Sequence, residues 1–266
     1  MDMDRMDELA RDPRFIPGIF NYCDAWCKRC PFTRRCLNFA MGEEMESGRS
    51  ESRDVDNEAF WDKLDETFET AMEWPQDEAQ DVDLDFDEDD FDEFLEREEG
   101  VREAAQSQPF SRIAKRYMDV VDEWFKLNAG FFADKGGELE FLMQADNPGD
   151  GPIDDVTAVR DCLEVIRWYQ RLIWVKLCRA ATGTIRAEVD EIECFQEDAD
   201  GSAKVAIIGI ERSIAAWATV LKRFPDHEDA IFSLTTLKRL LRQVDAAFPN
   251  ARAFRRPGFD TEAPNA

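Results

Sequence analysis

Apolar side chains recur at helical spacing over most of the second half of the chain. Phe110, Ile113, Ala114, Tyr117, Val121 and Trp124 fall three and four residues apart, which puts them on one helix face; Ser107 and Pro109 open it and Gly130 closes it. Val159, Leu163, Ile166, Ile173 and Leu177 form a second face after the loop marked by Pro148 and Pro152, and Ile185, Val189, Ile192 and Phe195 continue it past Gly183. The segment 203–224 is apolar almost all round and predicts the most buried helix. Ile231, Leu234, Leu237, Leu241, Val244 and Phe248 give the last face, with Asp226 as its N-cap after Pro225. No strand–helix–strand alternation is visible. The pattern predicts a mainly α protein, a helical bundle of about four long helices in up-down order.

Upstream the pattern thins. Phe60, Trp61, Leu64, Phe68 and Met72 keep helical spacing between Asp56 and Pro75. Residues 82–87 alternate apolar and acidic side chains as a strand would, but no turn signal or strand partner flanks them. Residues 76–99 hold fourteen acidic side chains against Arg97 alone. Self-repulsion makes this stretch a solvated connector, helical beyond Asp89, or alternatively an acidic–hydrophobic docking segment for a basic partner. Asp198-Ala199-Asp200-Gly201-Ser202 opens like a calcium loop, yet its twelfth position is Gly209 where a bidentate glutamate is required, so it reads as a turn between helices. These boundaries divide the chain into a four-cysteine module (1–50), a helix and acidic, partly disordered connector (51–106), the bundle (107–250) and a tail (251–266). Arg255 and Arg256 offer the tail a contact with the acidic surface, against a default of fraying.

Charge narrows the function classes. With 59 acidic and 33 basic side chains the chain carries a formal charge of -26, which argues against binding nucleic acid or an anionic membrane and leaves a redox or basic protein as the expected partner. The longest apolar run, 205–221, is broken by Glu211, Arg212 and Ser213 and is too short to span a bilayer. The opening residues lack a basic stretch followed by an apolar one, so the expectation is a cytoplasmic protein. Seven cysteines in a reducing compartment do not suggest disulfides, and four of them crowd into residues 23–36.

Those four, Cys23, Cys27, Cys30 and Cys36, have the spacing C-x3-C-x2-C-x5-C. Soft thiolates select zinc or iron-sulfur clusters, and four satisfy either a tetrahedral ion or a [4Fe–4S] cubane. The cubane is favoured on three grounds. The ligands come from one short run, Pro31 follows a ligand cysteine, and Trp26, Phe32 and Leu37 can shield the sulfurs. Lys28, Arg29, Arg34 and Arg35, against Asp24 alone, supply cations that stabilise thiolates. Zinc remains the alternative, and so do unligated thiols packed as small hydrophobes.

The run from Cys27 to Cys36 resembles the C-x2-C-x5-C portion of iron-sulfur nucleases and of auxiliary-cluster domains in radical enzymes. The nuclease resemblance implies an Asp followed by Glu-x-Lys on a sheet, and this chain has no Glu-x-Lys. Cys23, Cys27 and Cys30 also match the C-x3-C-x2-C spacing of radical S-adenosylmethionine enzymes, a resemblance that implies a barrel of alternating strands and helices. The helical pattern offers neither scaffold.

Elsewhere the chemistry is sparse. His227 is the sole histidine, set at a helix start between Asp226 and Glu228, and its loneliness excludes histidine-rich zinc hydrolases and the usual ferritin-like di-iron bundle. Cys162, Cys178 and Cys194 read as core. Lys204, Glu211 and Arg212 on one apolar helix and Glu164, Arg167 and Lys176 on its neighbour must pair, or line a small-molecule pocket in the bundle interior. The expected function is an accessory iron-sulfur protein with a structural or electron-transfer cluster. The alternatives are a metalloenzyme using that charged pocket and a zinc-stapled acidic interaction module.

Overall fold

A computed structural model describes residues 9–46, 88–127, 152–190, 193–223, 225 and 228–260. The helix expected between Asp56 and Pro75, the alternating stretch 82–87 and His227 lie outside the described residues. What is described is mainly helical and contains no strand.

The helices are α1 (Leu37–Glu46), α2 (Glu88–Ser107), α3 (Pro109–Leu127), α4 (Pro152–Asp190), α5 (Glu193–Arg223) and α6 (Glu228–Ala247). Pro109 separates α2 from α3: it cannot donate to the preceding turn, but its fixed φ suits a first helical position. The α3 stripe is buried as its spacing requires, with Ala114, Tyr117 and Val121 fully sealed. Its neighbours are α4 and α6; α4 packs along α5, and α5 packs on α6. The four therefore touch in a closed circuit around Tyr117, Ile166, Tyr169, Ile173, Ile210, Trp217, Leu237 and Leu240. In the centre the Trp217 indole N–H donates to the Tyr117 hydroxyl at 3.0 Å, which satisfies both polar atoms in a dry core. Helix α2 lies on α4, where Glu98 pairs with Arg186.

Two glycines that look like helix breakers are instead interior helix positions. At Gly183, which sits within α4, a Cβ would come 2.8 Å from the Phe195 carbonyl and 3.1 Å from the Ala199 Cβ, so its absence lets α4 and α5 approach closely. At Gly201 the expected turn 198–202 is overturned, because α5 runs straight through it. A Cβ there would lie 2.3 Å from the Tyr22 ring and 2.8 Å from Phe254, so Gly201 makes room for the N-terminal segment and the C-terminal tail together. Asp198, the first residue of the apparent calcium loop, accepts from Arg179 Nε at 3.0 Å and Arg179 Nη2 at 2.6 Å.

Gly201→Ala sets two effects against each other. Helix propensity favours alanine by about 1 kcal/mol, whereas overpacking at a rigid contact costs about 1–3 kcal/mol. The contact wins here because both neighbours are rings. The expected outcome is a lower urea midpoint, together with faster proteolysis of the segment that contains Tyr22.

The tail does not fray over residues 248–260. Its contacts are made by Arg252, Phe254 and Phe259 rather than by the expected Arg255 and Arg256, the latter pairing with Asp260 within the tail itself. Arg252 pairs with Asp245 and Glu211, and Gly258, in a left-handed conformation (φ 75°), lies against Ile16 and Ile19. Of the three cysteines read as core, Cys178 is buried, Cys162 half-buried and Cys194 exposed. Cys194 is thus a correction, and it lies one residue inside the start of α5.

Candidate metal centre

The segment 18–36 folds as three single 3-10 turns, Ile19–Tyr22, Cys27–Arg29 and Thr33–Arg35. Each turn ends on a cysteine. Cys23 follows the first, Cys30 donates its N–H to the Cys27 carbonyl at 3.2 Å, and Cys36 does the same to Thr33 at 3.3 Å. Pro31 holds Cys30 in extended geometry (φ -82°, ψ 125°), as a residue before proline must be, and this separates the second turn from the third. Ala25 adopts φ 55°, a left-handed conformation costly for a residue with a Cβ, and it carries the chain from Cys23 back toward Cys27.

The result is one cavity lined by Cys23, Cys27, Cys30 and Cys36 together, walled by Ile19, Trp26, Phe39 and Phe259. Its empty space, open solvent at the mouth included, measures about 300 Å³. None of the four is in a disulfide. Among the described residues, no group of three or more His, Cys, Asp or Glu side chains is disposed to hold one metal ion. A tetrahedral ion needs its sulfurs roughly 3.8 Å apart, from Zn–S of about 2.3 Å.

Backbone amides already point at two sulfurs. Ala25 N–H donates to Cys23 Sγ at 3.3 Å and Phe32 N–H to Cys30 Sγ at 3.4 Å. Burial pushes both thiols up from their ordinary pKa, and these amides oppose it. The indole N–H of Trp26, a residue only 4% exposed on the cavity wall, has no acceptor among the described residues. An anionic sulfur in the cavity is the kind of acceptor such a donor requires.

The cysteine segment is docked on the helices through its one acid and one indole. Asp24 accepts from the Tyr169 hydroxyl at 2.5 Å and from Arg212 at 2.8 Å, and its carbonyl accepts from the Trp168 indole at 2.8 Å. Arg212 also donates to Tyr169, whose hydroxyl is pushed above its ordinary pKa by burial and then by the Asp24 charge. Trp26 stacks on Trp168 with ring centroids 4.9 Å apart and planes 13° apart, and Arg29 covers it at 4.3 Å. Tyr22 donates to Asp198 at 3.2 Å and packs edge-on against Phe254, while Phe32 packs edge-on against Phe259.

The six charges expected on the bundle helices divide among these contacts. Glu164 pairs with Arg29 at 2.6 Å, Lys176 donates to the Asn21 carbonyl at 3.1 Å, and Arg212 reaches Asp24, so three of them hold the cysteine segment. Burial, and next the neighbouring Arg179, lowers Lys176 to about 8. Lys204 donates to the Arg252 carbonyl at 2.7 Å and Glu211 pairs with the Arg252 guanidinium at 2.9 Å, so two hold the tail. Arg167 lies over the Phe125 ring at 5.6 Å. Sequence reasoning recognised that these charges need partners but not that the partners are the two terminal segments. It missed Asp24, Trp168 and Phe259 as parts of the site.

Arg212→Leu removes a half-exposed donor from Asp24 and leaves Tyr169 as the remaining side-chain partner. Exposed ion pairs contribute about 1 kcal/mol or less, so global stability should hardly change. Local opening of the segment 18–36 should rise severalfold, which hydrogen exchange of its amides would record. The chain matches no protein-family model, no curated protein and no solved structure.

Proposed function

We propose that Cys23, Cys27, Cys30 and Cys36 ligate a [4Fe–4S] cluster, held by an N-terminal module on a four-helix bundle of α3 to α6, and that the protein passes single electrons to a partner protein in a reducing compartment. The observation that carries this reading is the convergence of all four thiols on one cavity, with backbone amides directed at two of the sulfurs. Hydrogen bonds to sulfur stabilise the thiolate form and raise the reduction potential of a bound cluster. The orphan Trp26 indole adds a further donor.

The choice of cluster over zinc is supported by the ligands' coming from one short run, by Pro31 after Cys30, and by Trp26 and Phe32 beside the sulfurs. Partial exposure supports electron exchange: all four cysteines are only half-buried, so a centre held by them lies near the surface, where a partner approaches. Four protein thiolates leave no iron open to substrate, which favours an accessory role over hydrolysis. When bound, the cluster supplies one-electron chemistry. The chain's own residues fix its ligands, exclude water on one side through Trp26 and Phe259, and tie the assembly to α4 and α5.

The test is optical and redox. Protein purified without oxygen should absorb broadly near 400 nm and bleach partly and reversibly with dithionite. A colourless protein that binds one zinc ion per chain would remove the reading.

A further inference from the structure

We propose a second site, remote in sequence from the cysteines, in the open groove between α3 and α4, and assign it to a nucleoside polyphosphate. The groove measures about 360 Å³ and is lined by Gln106, Arg112, Lys115, Arg116, Asp119 and Trp174. That volume falls in the range of small-ligand sites. In a chain of net charge -26, three cations at i, i+3 and i+4 on one helix face meet a single acid in the groove. Like charges at that spacing repel one another, so the arrangement gains from an anion.

The partners of these groups leave capacity for a ligand. Arg112 and Arg116 are exposed, and neither has an ion-pair partner among the described residues; the Arg116 guanidinium rests 5.4 Å from the Phe232 ring. Lys115 is held by Asp119 at 2.5 Å and lies loosely over Trp174, 5.5 Å from its centroid. Guanidinium groups take phosphate oxygens two at a time, and a neighbouring pair accepts successive phosphates. A planar ring stacking on the half-buried Trp174 would take the place that Lys115 now holds over the indole, releasing Lys115 to the phosphates, and Gln106 offers an amide that both donates and accepts at a ring edge. Phosphate alone would use the arginines and leave the indole and amide without a role. The chemistry therefore fits a base and a phosphate chain on one ligand. This site does not depend on the metal reading.

Calorimetric titration of the full chain with ATP, and separately with inorganic tripolyphosphate, tests the assignment. The expected result is one ATP per chain, bound more tightly than tripolyphosphate. The double variant Arg112→Ala/Arg116→Ala should weaken both by more than about tenfold. Trp174→Leu should weaken ATP about tenfold while leaving tripolyphosphate unchanged, and Trp174→Phe should retain most of the ATP affinity. Because both arginines are exposed, the double variant should keep its helical circular dichroism. No binding of ATP, equal binding of ATP and tripolyphosphate, or ATP binding unchanged in the arginine variant would each overturn the proposal.

Discussion

Cys30→Ser is expected to remove at least nine-tenths of the bound iron while leaving the helical circular dichroism unchanged. Serine keeps the size of the side chain but replaces a soft thiolate with a hydroxyl that stays protonated at neutral pH and binds iron weakly. Cys30 is the most informative of the four cysteines. Pro31 fixes its backbone, and the Phe32 amide already directs its hydrogen at the sulfur. The helices should survive because their core, around Tyr117, Ile210, Trp217 and Leu240, comes almost wholly from the helices, with Trp26 the buried side chain that the cysteine segment adds to it. What should be lost is order in residues 18–36, since metal binding supplies folding energy to small ligand loops. The matching control is Cys194→Ser: that thiol is exposed on α5, and its replacement should leave iron content as it was.

Trp26→Ala is expected to detach the same segment from the opposite direction, with all four cysteines intact. The indole is 4% exposed, stacked between Trp168 and Arg29, and edge-on to Tyr169 at 6.0 Å. Removing a buried tryptophan costs about 3–5 kcal/mol, from lost transfer energy and the cavity left behind. That exceeds what the half-exposed contacts of Arg29 and Arg212 can offset at about 1 kcal/mol or less each. The segment should therefore open before the helices do, seen as a separate early transition in urea with the cysteine region exposed. The helical transition should keep its midpoint within experimental error. A single transition displaced as a whole would mean that the two parts unfold together.

Periodicity carried most of the fold. The α3 face from Phe110 to Trp124 is buried at every position its spacing selects except the half-buried Ile113, because three-and-four repetition has one solution on a helix against a core. The α6 face held at Leu237, Val244 and Phe248, but Leu240 rather than the half-buried Leu241 is sealed, and Ile231, in the first turn, is 46% exposed. Glycine misled at residue 201 for a physical reason: the same lack of a Cβ serves a turn or a close approach, and only the neighbours decide which. At Gly201 those neighbours are Tyr22 and Phe254, 179 and 53 residues away. The acidic stretch divided likewise. From Glu88 onward it forms α2, anchored to α4 by Glu98 and Arg186.

The four cysteines were legible because their chemistry is local in sequence, yet what holds them was not. Asp24 looked like a stray acid in a basic segment. Its partners Tyr169 and Arg212 lie 145 and 188 residues away. A charge on an apolar helix signals that it must be paired, but spacing along one helix does not say with what. Glu164, Lys176 and Arg212 found the N-terminal segment; Lys204 and Glu211 found the tail. The tail in turn reaches the cysteine-lined cavity, where Phe259 forms part of the wall.

The central claim concerns what the four thiols hold, and iron and acid-labile sulfide per chain, determined on protein purified without oxygen, test it most directly. The account predicts about four of each per chain, falling together in Cys30→Ser and unchanged in Cys194→Ser. One zinc per chain with neither iron nor sulfide, or iron that persists undiminished in Cys30→Ser, would contradict it.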